Sequence, residues 1–180
     1  MVDQLQLVTG PARSGKSEWA EHLAAQTGKS VVYVATAQID LKDAEWQARI
    51  LLHQQRRPQD WTTLWVPIDL AATLETASPS ECLLIDSLGT WLTNQLEQDE
   101  PTWQQTCQTL LASFKQTAAQ VIVVAEETGW GVVPAYPIGR KFRDRLGKLT
   151  QQIAAIANPV FLVTSGYVLN LSQLGTRLPL

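Results

Sequence analysis

The chain has 180 residues with a net charge of −3 at pH 7, 45% of them apolar and 17% charged. That size and balance fit one domain over residues 1–180 with a full core, and exclude a disordered chain or a chain-wide nucleic-acid surface. No apolar run reaches the roughly 18 residues of a membrane span. Only Met1 to Gln4 precede the first predicted strand, so no leader is expected and the protein reads as soluble and cytoplasmic. Cys82 and Cys107 have no metal-type spacing and read as reduced core residues.

Leu5 to Thr9 alternates like a strand, and Glu18 to Gln26 is helical in pattern, with Trp19, Ala20 and Leu23 on one side. Between them, Gly10-Pro11-Ala12-Arg13-Ser14-Gly15-Lys16-Ser17 matches G-x-x-x-x-G-K-[ST], the phosphate-binding loop, at every position. A strand delivers the chain into a glycine turn whose N–H groups wrap a phosphate, and the next helix points its positive end at the same group. Lys16 is expected to reach the β- and γ-phosphates, and the Ser17 hydroxyl to ligate Mg²⁺.

Val31 to Ala35 is a continuous apolar run, the pattern of a parallel strand covered on both faces, and it ends in Thr36-Ala37-Gln38. Asp43 to Gln55 reads as a helix carrying Trp46, Ile50 and His53, stopped by Arg56-Arg57-Pro58. Trp61 to Val66 is a short β-type segment, and Asp69 to Thr76 a short helix. Cys82 to Asp86 is an apolar strand ending in a carboxylate, the residue a phosphate-loop protein needs opposite Ser17 to hold Mg²⁺.

Gly89 to Gln98 and Thr102 to Ala119 are predicted helices. The second has Trp103, Cys107, Leu110, Leu111 and Phe114 as its core stripe. Gln120 to Glu126 is a buried strand that opens into a long glycine-containing loop, of a length that often marks function. Ile138 to Ala157 is the longest helix. Its basic half (Arg140, Lys141, Arg143, Arg145, Lys148) reads as a solvated face, with a second phosphate site as the alternative. Val160 to Thr164 is a last strand, and Ser165 to Leu180 an irregular tail.

The alternation of strand and helix predicts a three-layer α/β P-loop NTPase fold of RecA-like type with a mainly parallel sheet. Lys16, Thr36, Asp86, Glu126 and Ser165 all fall at or just beyond strand carboxyl ends, where ligands of open α/β sheets bind.

Four segments together resemble a known family. They are Thr9 to Ser17, Val34-Ala35-Thr36-Ala37, Arg49-Ile50 to His53 to Arg57-Pro58 with Trp61, and Glu127-Thr128-Gly129-Trp130-Gly131-Val132-Val133-Pro134 continuing into Arg140 to Asp144 and Gly147. The family is the bifunctional adenosylcobinamide kinase / adenosylcobinamide-phosphate guanylyltransferase of cobalamin biosynthesis, and the likeness runs to about Gly166. It implies two reactions. ATP or GTP phosphorylates adenosylcobinamide, and GTP then donates GMP to that phosphate through a guanylylated histidine. The matching position is His53, with Lys16 serving both steps.

The likeness also implies nucleotide contacts from Gly10 to Ser17, Ala35, Thr36, Ala37, Arg57 and Asp86, with Mg²⁺ on Ser17 and Asp86, and a homotrimer. Trp65 stands where relatives generally carry glutamate, and Thr128 where valine is usual. The alternatives are a phosphate-loop small-molecule kinase without guanylyl transfer and a nucleotide-binding regulatory module. Label from α-labelled GTP on His53 separates them.

Overall fold

Apolar strands covered on both faces form the middle of the molecule. The computed structural model describes residues 4–38 and 57–179. The strands are β1 (Leu5–Gly10), β2 (Ser30–Ala35), β3 (Thr62–Trp65), β4 (Glu81–Asp86), β5 (Gln120–Glu126), β6 (Val160–Thr164) and β7 (Tyr167–Asn170). The helices are α1 (Lys16–Ala25), α2 (Leu70–Thr76), α3 (Leu88–Asn94), α4 (Glu100–Gln116), α5 (Pro137–Ile156) and α6 (Leu171–Leu174). The predicted helix over 43–55, with Arg49 and His53, lies outside the described residues.

The sheet order is β3-β2-β4-β5-β1-β6-β7. Every pairing is parallel except the last, β6 with β7. One strand, β5, separates the strand that feeds the phosphate loop from the strand that ends in Asp86, which is the RecA-like arrangement. Alternate residues serve opposite faces. Leu5, Leu7, Val32, Val34, Leu83, Ile85, Val121 and Val123 pack against Leu74, Leu92, Phe114 and Leu146 of α2 to α5. Val8, Tyr33, Cys82, Leu84, Ile122 and Val124 pack with Ala20 and Ala24 of α1. Burial pushes both cysteine thiols up to about 11, so each stays protonated as a small core group.

Local chemistry starts the helices within two residues of the predicted positions. Asp69 accepts from the Ala72 N–H at 3.1 Å, Asp99 accepts from the Thr102 N–H at 3.0 Å, and Ser87 with Thr90 forms a reciprocal capping box. Two expectations change. The helix predicted to Gln98 stops at Asn94, because the chain turns tightly there and Arg145 gathers the freed carbonyls of Leu96 and Gln98 at 3.4 and 3.0 Å. The tail is not irregular throughout. Ser165 and Gly166 both adopt positive φ, 51° and 79°, making a two-residue hairpin turn that brings Tyr167 to Asn170 back along β6.

Candidate active site

The phosphate loop is shaped by its neighbours as well as by its own sequence. Gly10 ends β1 beside β6, where a Cβ would meet the Val163 carbonyl and lie 2.7 Å from Ser14 Oγ. Arg13 and Gly15 take positive φ of 58° and 91°, which turns the loop and hands it to α1. Gly15 caps α1 without a side-chain hydrogen bond, so the helix's leading N–H groups face the loop rather than a protein cap. Lys16 Nζ folds back to the Pro11 carbonyl at 3.3 Å. Ser14 Oγ is buried and has no hydrogen-bond partner among the described residues, as expected of a hydroxyl placed for phosphate oxygens.

The strand register brings the other predicted groups to the same rim. Gly10 is level with Glu126, Ala35 with Asp86, and Asp86 with Val124. Tyr33 donates its hydroxyl to Asp86 Oδ2 at 2.9 Å. Burial above all, then the Asp86 charge, holds the Tyr33 phenol far above its ordinary pKa, opposed by Arg57, so it remains a proton donor. Arg57 lies with its guanidinium carbon 3.3 Å from the Tyr33 ring centroid and donates to Thr63 Oγ1 at 3.3 Å. Arg57 thereby joins the site through Tyr33 and β3.

Thr36 sits at the rim but is fully buried. Its hydroxyl donates to the Ser87 carbonyl at 2.7 Å and accepts from the Ser87 N–H at 3.0 Å. Asn94 Nδ2 donates to the carbonyls of Thr36 and Pro67, both at 2.8 Å, tying the exits of β2 and β3 to α3. Ala35 is buried and Ala37 half-buried beside them. Ser17 follows Lys16 at the start of α1 and is half-buried.

Glu126 is the group that sequence reasoning placed at the rim without giving it a task. Its Oε2 accepts from the Gly89 N–H at 2.9 Å, and its Oε1 accepts from the Ser87 hydroxyl. Burial first, and the Asp86 charge, push the Glu126 carboxyl above its ordinary range, against the Ser87 hydrogen bond and the Lys16 charge. Next to it, Glu127 accepts from Thr9 Oγ1 at 2.6 Å and donates its N–H to the Gly10 carbonyl at 2.9 Å. The long loop therefore leaves β5 pinned to the end of β1, the strand that carries the phosphate loop.

The basic face of α5 is largely committed to holding backbone. Arg140 donates to the carbonyls of Pro134 and Ala135, Lys141 to Gln98, and Arg143 pairs with Asp144. Arg145 is only 6% exposed and also stacks over Trp103 at 4.9 Å. The run is therefore not simply a solvated face, although Lys148 is exposed.

The residues present suit Mg²⁺. The ion commonly takes one or two carboxylates, completing its shell with water and substrate phosphates rather than a protein cage. Asp86, with one oxygen held by Tyr33, and the Ser17 hydroxyl would supply such ligands. Among the described residues no group of three or more His, Cys, Asp or Glu converges to hold a metal ion, at this rim or elsewhere.

Comparison with known proteins decides which phosphate-loop family this is. The family model for CobU, described as cobinamide kinase / cobinamide phosphate guanyltransferase, matches residues 6–171. The chain belongs to that family. It is 43% identical over 162 residues to the bifunctional adenosylcobalamin biosynthesis protein CobP of Pseudomonas aeruginosa, covering 89% of this chain and 92% of that one. It is 39% identical over 176 residues to the CobU protein of Escherichia coli and 38% identical to that of Salmonella typhimurium. Each of these matches covers 89% of this chain and 95% of the relative. The crystal structure of the RadB recombinase superposes with a TM-score of 0.47 at 14% identity, over 89% of this chain and 74% of that one. The fold assignment rests on the strand order rather than on that superposition. No helix among the described residues is long and apolar enough to cross a membrane.

Proposed function

We propose that this chain carries out both family reactions, as one domain working from one nucleotide seat. In the first, the aminopropanol hydroxyl oxygen of adenosylcobinamide bonds to the γ-phosphorus of ATP or GTP. The bond to the β–γ bridging oxygen breaks, the nucleoside diphosphate leaves and the hydroxyl proton is released. In the second, a ring nitrogen of His53 attacks the α-phosphorus of GTP and pyrophosphate leaves. The phosphate of adenosylcobinamide phosphate then displaces the imidazole, giving adenosylcobinamide-GDP.

A single observation supports placing both steps here: the phosphate loop and Asp86 share one sheet rim in a chain whose family match spans residues 6–171. Gly10, Pro11, Ala12, Arg13, Ser14 and Gly15 would wrap the phosphates with backbone N–H groups, and Lys16 would neutralise charge that grows as the bridging bond lengthens. Ser17 and Asp86 would hold Mg²⁺, which supplies further charge neutralisation on the phosphate oxygens. Ala35, Thr36 and Ala37 would border the nucleotide, and Arg57 would steady charge near the α-phosphate. Histidine suits the relay because neutral imidazole is available near pH 7 and departs as a protonated group.

The test is incubation of pure protein with α-³²P-GTP. Acid-labile label should form on the wild type and be absent from His53→Ala, which should keep kinase turnover. A wild type that phosphorylates cobinamide but takes no label reduces the reading to the kinase alone.

The homotrimer belongs to the same proposal. Trp130, Val132, Val133 and Tyr136 project from the long loop with exposures of 60, 93, 59 and 77%, and an apolar run of that kind favours burial against another surface. Light scattering on the eluted protein should give about three times the 19.9 kDa chain mass. A chain-sized mass would remove the trimer.

A further inference from the structure

We infer that Glu126 is a positioning residue for the divalent cation of the nucleotide site: its carboxylate clamps the turn after β4 and so fixes where the Asp86 carboxylate sits. The inference rests on the reading of Asp86 as a cation ligand. Three strands converge on that turn. From β2, Tyr33 holds Asp86 Oδ2, and just beyond the end of β2 Thr36 holds both the N–H and the carbonyl of Ser87. From β5, Glu126 takes the Ser87 hydroxyl with one oxygen and the Gly89 N–H with the other.

Gly89 is fitted to this contact. A Cβ there would fall on Glu126 Oε2 and Cδ, the latter at 2.7 Å. Only glycine lets the carboxylate approach the backbone so closely.

Helix capping alone does not explain the residue. Ser87 and Thr90 already cap α3 reciprocally, and an amide or a hydroxyl would serve the remaining N–H without the cost of burying a charge. Here a buried carboxylate stands beside a second carboxylate at the strand end, an arrangement that is unfavourable by itself and favourable around a cation. Groups one layer behind a metal ligand orient it, and they also accept from the waters that Mg²⁺ retains.

The experiment titrates Mg²⁺ into full-length protein with a fluorescent GDP analogue, and separately measures nucleotide affinity in EDTA. E126A should raise the half-saturating Mg²⁺ concentration about tenfold, while affinity in EDTA stays within about twofold of wild type. E126Q should recover only part of the loss, since it keeps the clamp's hydrogen bonds but not the charge that a cation favours. Its amide oxygen can take the Gly89 N–H and its amide nitrogen can donate to the Ser87 oxygen. G89A should follow E126A, because the added carbon displaces the carboxylate, and it serves if E126A does not fold.

An E126A or G89A protein with wild-type Mg²⁺ dependence overturns the inference. So does an E126A protein that loses EDTA affinity in the same proportion, and so does an E126Q protein as impaired as E126A. D86N separates the two claims. If D86N alone shifts the Mg²⁺ dependence, the clamp fails and Asp86 stands. If D86N shifts nothing, the reading of Asp86 fails and the clamp with it.

Discussion

Lys16→Ala should lower kcat for cobinamide phosphorylation about 10²–10³-fold, the usual effect of removing one preorganised charge from a phosphoryl-transfer site. The lysine stands half-buried at the mouth of α1 and donates to the Pro11 carbonyl at 3.3 Å. Little of the fold depends on that contact, so the melting temperature should hardly move. The interaction lost would be one that strengthens as charge builds on the bridging oxygen, so the loss should appear in kcat more than in KM. Guanylylation of the protein by GTP should fall as well, since the same ammonium would face the departing pyrophosphate. A variant whose KM rises while kcat holds would mean that Lys16 binds nucleotide without assisting transfer.

Gly10→Ala should damage fold and site together. The new methyl would press on the Val163 carbonyl, which is held within β6, and that strand pairs with β1 from Leu7 to Thr9. Backbone in the middle of a sheet cannot swing aside as a flexible side chain would. Overpacking of this kind costs about 1–3 kcal/mol, which corresponds to a fall of about 3–10 °C in Tm for a chain of this length. Relief by shifting the loop would misplace Ser14, 2.7 Å from the same carbon, and weaken nucleotide binding. Gly147→Ala is the matched control. A Cβ at Gly147 meets nothing within 4 Å and the residue lies inside α5, so alanine should stabilise by up to about 1 kcal/mol. Equal Tm losses at the two positions, followed by calorimetry, would refute the steric account of Gly10.

Most of the sheet was legible because its strands are short, apolar and separated by strong helix patterns. Val121 to Ala125 and Val31 to Ala35 can only be strands buried on both faces, and the amphipathic stripe of Trp103, Cys107, Leu110 and Phe114 can only face a core. The glycine turn from β1 into α1 and the strand ending in Asp86 were legible because the loop's residue types and spacing match a known motif and the strand is an apolar run closed by a carboxylate.

What escaped notice depends on contacts distant in sequence. Tyr33 reads as one more apolar strand residue until β2 is seen to lie against β4, which puts its hydroxyl on Asp86. Glu126 and Gly89 are 37 residues apart, and neither alone signals the other. The hydroxyl of Thr36, a residue expected to border the nucleotide, also holds the Ser87 backbone, a use that periodicity cannot reveal. The Ser165-Gly166 pair was a signal within reach. A small polar residue followed by glycine after a strand is turn chemistry, and it marks β7 in advance. His53 lies outside the described residues, and its assignment rests on the family motif.

The crowding of Gly10, Ala35, Asp86 and Glu126 along a single rim carries a temporal consequence. On the proposal that one phosphate loop serves both reactions, the donor for phosphorylation and the donor for guanylylation would occupy it in turn. The spent diphosphate would then depart before the next GTP enters, giving turnover the rhythm of a single-berth dock. The corrinoid, once phosphorylated, either waits nearby or returns later as a fresh visitor.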